Sequence, residues 1–123
     1  MKLSESRFLV VSSIVVLLML ISVGGLVRAE EPEHVIRITA KKFEYAPHEI
    51  TLKKGVPVVL EFTSLDRLHG FNCRELRVRA DIYPNKVAKV QVIPQQVGTF
   101  DFFCDNFCGS GHSEMRGKFI VTE

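Results

Sequence analysis

The coordination chemistry of this chain is concentrated in one run, Cys104-Asp105-Asn106-Phe107-Cys108-Gly109-Ser110-Gly111-His112-Ser113-Glu114-Met115. Two thiolates, one imidazole and one thioether form a soft donor set. Softness of this kind selects copper over magnesium, calcium or manganese. Gly109 and Gly111 allow the backbone to turn tightly enough to bring the donors together. Other readings suit parts of the run. Two Cys with two His would satisfy a structural zinc ion, although zinc sites seldom use Met and their Cys usually stand closer together. A Cys104–Cys108 disulfide would suit an oxidising compartment but leaves the spacing of His112 and Met115 unexplained. An isolated Met115 would read as core packing, whereas three residues after His112 it reads as a donor.

A second imidazole is needed, and His69, in Asp66-Arg67-Leu68-His69-Gly70-Phe71, is the candidate. It lies just beyond an expected strand end, from which it could meet the Cys104–Met115 run at one pole of a sandwich. His34 and His48 read as surface histidines, and Cys73 as a small buried apolar residue. Phe71, Phe103, Phe107 and Phe119 are expected to exclude water from the donors as well as to pack. No nucleophile and base stand together, and a filled ligand shell leaves no position for substrate. The chain is therefore not read as an enzyme by itself.

The elements that must position these residues follow from the patterning. Alternation from His34 to Ala40 predicts a half-buried strand, continued through Phe43–Tyr45. Further strands are predicted at 49–52, 56–63, 86–93, 99–104 and 118–122, with Pro57 suiting a strand start. Residues 64–85 read as a long connection with a helical turn near Glu75–Val78. Six or seven short strands in this length predict an antiparallel sandwich.

Ahead of them, Phe8–Val27 is an uncharged stretch of about 20 residues, long enough to cross a bilayer at ~1.5 Å per residue. Residues 1–29 read as either a cleaved signal peptide or a single membrane anchor, and 30–123 as one domain. Lys2 and Arg7 precede the apolar run, which directs the domain to the periplasm or the outer face of the cytoplasmic membrane. From Glu30 onward acidic and basic residues balance, so the one-sided basic field of a nucleic-acid binder is missing. A local basic stretch, Arg67, Arg74, Arg77, Arg79 and Lys86, reads as a solvated face or part of a docking surface.

The C-x-x-x-C-x-x-x-H-x-x-M run, preceded by His69-Gly70-Phe71, resembles the CuA domain of subunit II of haem-copper cytochrome oxidases; nitrous oxide reductases carry the same ligand run. The resemblance covers residues from about His34 to Glu123. It implies an all-β, cupredoxin-like Greek-key β-sandwich behind one N-terminal hydrophobic helix. It also implies two copper ions bridged by Cys104 and Cys108, with His69 and Met115 on one ion and His112 with the Asn106 backbone carbonyl on the other. The implied function is electron transfer, as an oxidase subunit or a free periplasmic carrier, with a cytochrome or oxidase subunit as redox partner and no small-molecule substrate. Phe71 stands where such oxidases often have Trp, a residue this chain lacks. Two alternatives stay open: a mononuclear blue-copper carrier using His69, Cys108, His112 and Met115, and a protein that delivers or buffers copper.

Overall fold

The structure, a computed structural model, describes Gly25 and residues 34–123. The expected leader, with its hydrophobic helix and its choice between signal peptide and anchor, lies outside the described residues. Among the described residues, no helix is long and apolar enough to cross a membrane.

Nine strands make up the domain: β1 (Val35–Lys41), β2 (Glu44–Ala46), β3 (Glu49–Lys53), β4 (Val58–Ser64), β5 (His69–Cys73), β6 (Val78–Ile82), β7 (Ala88–Val92), β8 (Gly98–Phe103) and β9 (Arg116–Thr122). They form two sheets, in the orders β2-β1-β4-β7 and β3-β9-β8-β5-β6. The all-β sandwich expected from the patterning is the observed fold. Strict alternation gives each outer strand one buried face: Ile50 and Leu52 point inward on β3, and Val78, Ala80 and Ile82 on β6. β4 lies between β1 and β7 and is almost continuously apolar, burying Val58, Val59, Leu60 and Phe62. Pro57, which cannot donate to a ladder, stands just before it.

Five aromatic rings fill the space between the sheets. Phe71 is central, with centroids 4.6 Å from Phe62 and Phe102, 5.4 Å from Tyr45 and 6.0 Å from Phe119. The tilted and edge-on arrangements suit the charge distribution of aromatic faces and edges.

Register divides the sandwich into two poles. β1 and β4 run parallel, Val35 beside Val59 and Ala40 beside Ser64, while β9 returns antiparallel to β8 from Arg116 beside Phe103 to Val121 beside Gly98. One pole therefore gathers the end of β4, the start of β5, the end of β8 and the start of β9. The other gathers His34, Lys54, Gly55, Pro94 and Thr122, joined by bonds from Val59 N to His34 O, Lys54 N to Thr122 O and Gly55 N to Pro94 O.

The observed topology departs from the sequence expectation in three places. The sandwich is not wholly antiparallel, because β1 pairs with β4, and β3 with β9, in parallel. Residues 64–85 are not a connection: they contain β5 and β6, a hairpin closed by a turn at Arg74–Arg77 rather than a helical turn. Arg77 takes a positive φ of 54° and its N–H bonds Arg74 O at 3.1 Å. Finally, Phe43–Tyr45 does not extend β1; Glu44–Ala46 folds back antiparallel on it.

Candidate metal centre

The two halves of the candidate site come from neighbouring strands of one sheet. His69 is the first residue of β5, and Cys104 directly follows β8. Asn72 lies opposite Phe103, so the chain leaving β8 passes over the beginning of β5. The loop from Cys104 to Met115 is closed at its neck by the Cys104 N–H, which bonds Met115 O at 3.1 Å. Inside it, a 3-10 turn at His112–Glu114 turns the chain back toward β9.

Three glycines decide how closely the loop can lie. A Cβ on Gly70 would collide with Asp105 Oδ1 and crowd the Asn106 N–H, and a Cβ on Gly111 would run into the Phe43 ring. Gly109 adopts φ of 135°, a conformation open to glycine and strained for other residues.

All six positions expected from the sequence meet at this pole. Cys104 Sγ and Cys108 Sγ are 3.7 Å apart; a disulfide bond requires ~2.05 Å, and both are free thiols. Cys108 Sγ is 3.6 Å from His112 Nδ1 and 3.9 Å from Met115 Sδ. Cys104 Sγ lies 3.1 Å from the Asn106 carbonyl oxygen. A ring nitrogen of His69 and both cysteine sulfurs fall within 4.8 Å of one another. His69, Cys108 and Met115 are fully buried and Cys104 nearly so, while His112 is half-buried.

The electrostatics of the pocket fit a cation. His69 Nε2 donates to Asp66 Oδ1 at 2.6 Å, which leaves Nδ1 with its lone pair; that atom is buried with no hydrogen-bond partner. An unpaired buried acceptor is costly unless something binds it. Burial tends to raise the Asp66 carboxyl, but bonds from the Lys42 N–H, His69 and the Arg67 N–H outweigh it and hold the group at about 2. Burial, then the adjacent Cys104 thiol, pushes the Cys108 thiol up to about 11. A metal ion reverses such a penalty by supplying the positive charge a buried thiolate needs. The Gly70 N–H also donates to Cys104 Sγ at 3.4 Å, and the buried Tyr45 hydroxyl donates to Gly70 O at 2.5 Å.

The histidines read as surface residues stay apart from this cluster. His34 lies at the far pole, and His48 is exposed. Cys73 is fully buried as read. Phe71 and Phe119 are buried as expected, but Phe107 is not a water barrier: it is 72% exposed, its ring 5.5 Å from that of His112. Sequence reading did not assign Asp66 or Phe43. Asp66 could have been found from its position three residues before His69; Phe43 is sensed only through the tertiary approach of Gly109 and Gly111. The basic stretch is partly consumed within the fold, since Arg79 pairs with Asp81 and Asp105 and Arg74 lies 5.1 Å over the Phe103 ring.

Fold and site together define a small two-sheet sandwich with a soft-donor pole. The chain belongs to the cupredoxin-like domain family, whose model matches residues 10–121. It is homologous to cytochrome c oxidase subunit 2 of Thermus thermophilus, 29% identical over 91 residues that span 74% of this chain and 67% of that protein. Nitrous-oxide reductase of Ralstonia nicotianae is 34% identical over 90 residues, 70% of this chain but 14% of the reductase. Among solved structures, the periplasmic domain of subunit II of cytochrome oxidase of Bradyrhizobium japonicum superposes with a TM-score of 0.69 at 17% identity, covering 78% of this chain and 88% of that one.

Proposed function

We propose that this domain transfers electrons through a binuclear copper centre of the CuA type. The residues that would hold it are His69, Cys104, Cys108, His112 and Met115, with the backbone carbonyl of Asn106. The observation that carries this reading is the pair of free thiols 3.7 Å apart, flanked by His112 Nδ1, Met115 Sδ and the Asn106 carbonyl. A mononuclear site has no use for Cys104, yet here its sulfur faces Cys108 directly.

When bound, a pair of copper ions would supply a reversible one-electron store. The residues of the chain supply the rest. Asp66 orients His69, and the Tyr45 hydroxyl fixes Gly70 beneath Cys104. Phe71, Phe102 and Phe119, all fully buried, keep water from the inner side. A donor set held on a rigid sheet changes little as charge arrives, which keeps reorganisation small. His112, half-buried under Phe107, forms the outer edge at which a protein partner would exchange electrons.

In this reading 30–123 is the working domain, placed in the periplasm or on the outer face of the membrane. It serves an oxidase or a free carrier role, with a cytochrome or oxidase subunit as partner. Copper content and electron paramagnetic resonance of the loaded full-length chain test it. The expected result is two coppers per chain and the hyperfine pattern of one electron shared by two copper nuclei, both lost in Cys104→Ser. One copper with a single-nucleus pattern, unaffected by that substitution, would overturn it in favour of a blue-copper carrier. Rapid surrender of copper to a chelator would instead point to metal delivery.

A further inference from the structure

Asp105 stands between two of the proposed ligand positions, and its side chain turns away from them. Its carboxylate accepts three hydrogen bonds: from Arg79 Nε at 2.9 Å, from Arg79 Nη2 at 2.9 Å and from Asn72 Nδ2 at 3.0 Å. The two Arg79 bonds form a bidentate fork, the most directional ion pair that side chains make. Arg79 is itself fixed from the other side by Asp81 Oδ1, 2.6 Å from Nη1. Asn72 and Arg79 are register partners across the β5–β6 hairpin, so both donors come from adjacent positions of one sheet face.

The carboxylate spans the two strands and fastens the outgoing chain of β8 onto them. Directly beneath, Gly70 lacks the Cβ that would strike Asp105 Oδ1, and its N–H reaches Cys104 Sγ at 3.4 Å. The carboxylate that Arg79 and Asn72 grip thus lies directly over the bare backbone of Gly70. An exposed ion pair alone contributes little to global stability. Here the pair joins the ligand loop to the hairpin that carries His69, so its effect falls on the loop.

We propose that Asp105 is a positioning residue: gripped by Arg79 and Asn72 over Gly70, it holds Cys104 Sγ and the Asn106 carbonyl in place before any metal binds. The assignment of a metal to this loop rests on the proposed function above; the grip itself is a property of the metal-free chain and is tested there.

The test is the alkylation rate of Cys104 and Cys108 by iodoacetamide in the reduced, metal-free full-length protein, resolved by peptide mass spectrometry, with denaturation midpoints measured in parallel. Asp105→Ala and Arg79→Ala are each expected to speed Cys104 modification about tenfold or more, the scale of losing hydrogen bonds to a charged group. The double variant should be no faster than either single one, because both remove the same link. Arg79→Lys, which keeps the charge but not the fork, should fall between wild type and Arg79→Ala. Denaturation midpoints should shift little. Equal alkylation rates in wild type and both single variants would overturn the proposal, as would rates that rise only in step with lost global stability. Copper uptake by the wild-type chain is measured separately. Its failure would sink the metal reading and leave the alkylation result standing.

Discussion

At the scale of single residues, the site is built from groups whose partners are chosen for them. His69 has two ring nitrogens in different situations, one engaged by Asp66 at 2.6 Å and the other buried and unpaired. The outer partner fixes the tautomer and thereby the donor atom. Tyr45 has a comparable role one layer deeper. Its hydroxyl donates to Gly70 O at 2.5 Å, and burial, reinforced by Cys104, raises its pKa well above the ordinary phenol range, so it stays a donor at every physiological pH. Tyr45→Phe removes a buried hydrogen bond at the seat of the ligand loop. We expect it to cost about 1 to 3 kcal/mol in urea denaturation, because the carbonyl loses its partner away from water. An unchanged midpoint would mean that the carbonyl finds a partner elsewhere.

At the scale of elements, the loop proposed to hold the metal was far more legible than the strands that carry it. Four soft side chains between Cys104 and Met115 are local in sequence, and chemical softness alone singles them out as a candidate set. β5 and β6 were hidden for physical reasons. His69-Gly70-Phe71-Asn72-Cys73 holds no β-branched residue, and Arg74-Glu75-Leu76-Arg77 is composed of good helix formers, yet burial of Phe71, Cys73, Val78 and Ile82 imposes a hairpin. The parallel pairing of β1 with β4 was equally invisible, since alternation marks which face is buried and is silent about the neighbour. Asp105 carried no signal because its partners, Asn72 and Arg79, are distant in sequence. β9 lies between β3 and β8. Gly117 on β9 faces the Phe102 ring and the His48 carbonyl, which a Cβ would strike. Gly117→Ala should therefore destabilise the domain by about 1 to 3 kcal/mol, the usual cost of overpacking, read as a fall in the thermal midpoint. A neutral result would show that β9 can shift outward without loss.

At the scale of the whole molecule, one aromatic cluster ties both sheets to the site. Phe71 touches Tyr45, Phe62, Phe102 and Phe119 and lies two residues from His69 on β5. Phe71→Ala should cost about 3 to 5 kcal/mol in chemical denaturation, the range for a large buried ring. A cost below about 1 kcal/mol would mean that the core collapses into the space and that Phe71 does not hold the sheets together.

The arrangement of the poles has a practical side. The chain enters the sandwich at His34 and leaves it at Thr122, and both lie at the end away from the cysteines. The seven residues of β9 span the height between, about 20 Å at ~3.3 Å per residue. The sandwich is therefore a pedestal with both handles at its foot. A bead, an electrode coating or a fused protein coupled at Thr122 is therefore joined at the end of the sandwich opposite Phe107, which is 72% exposed.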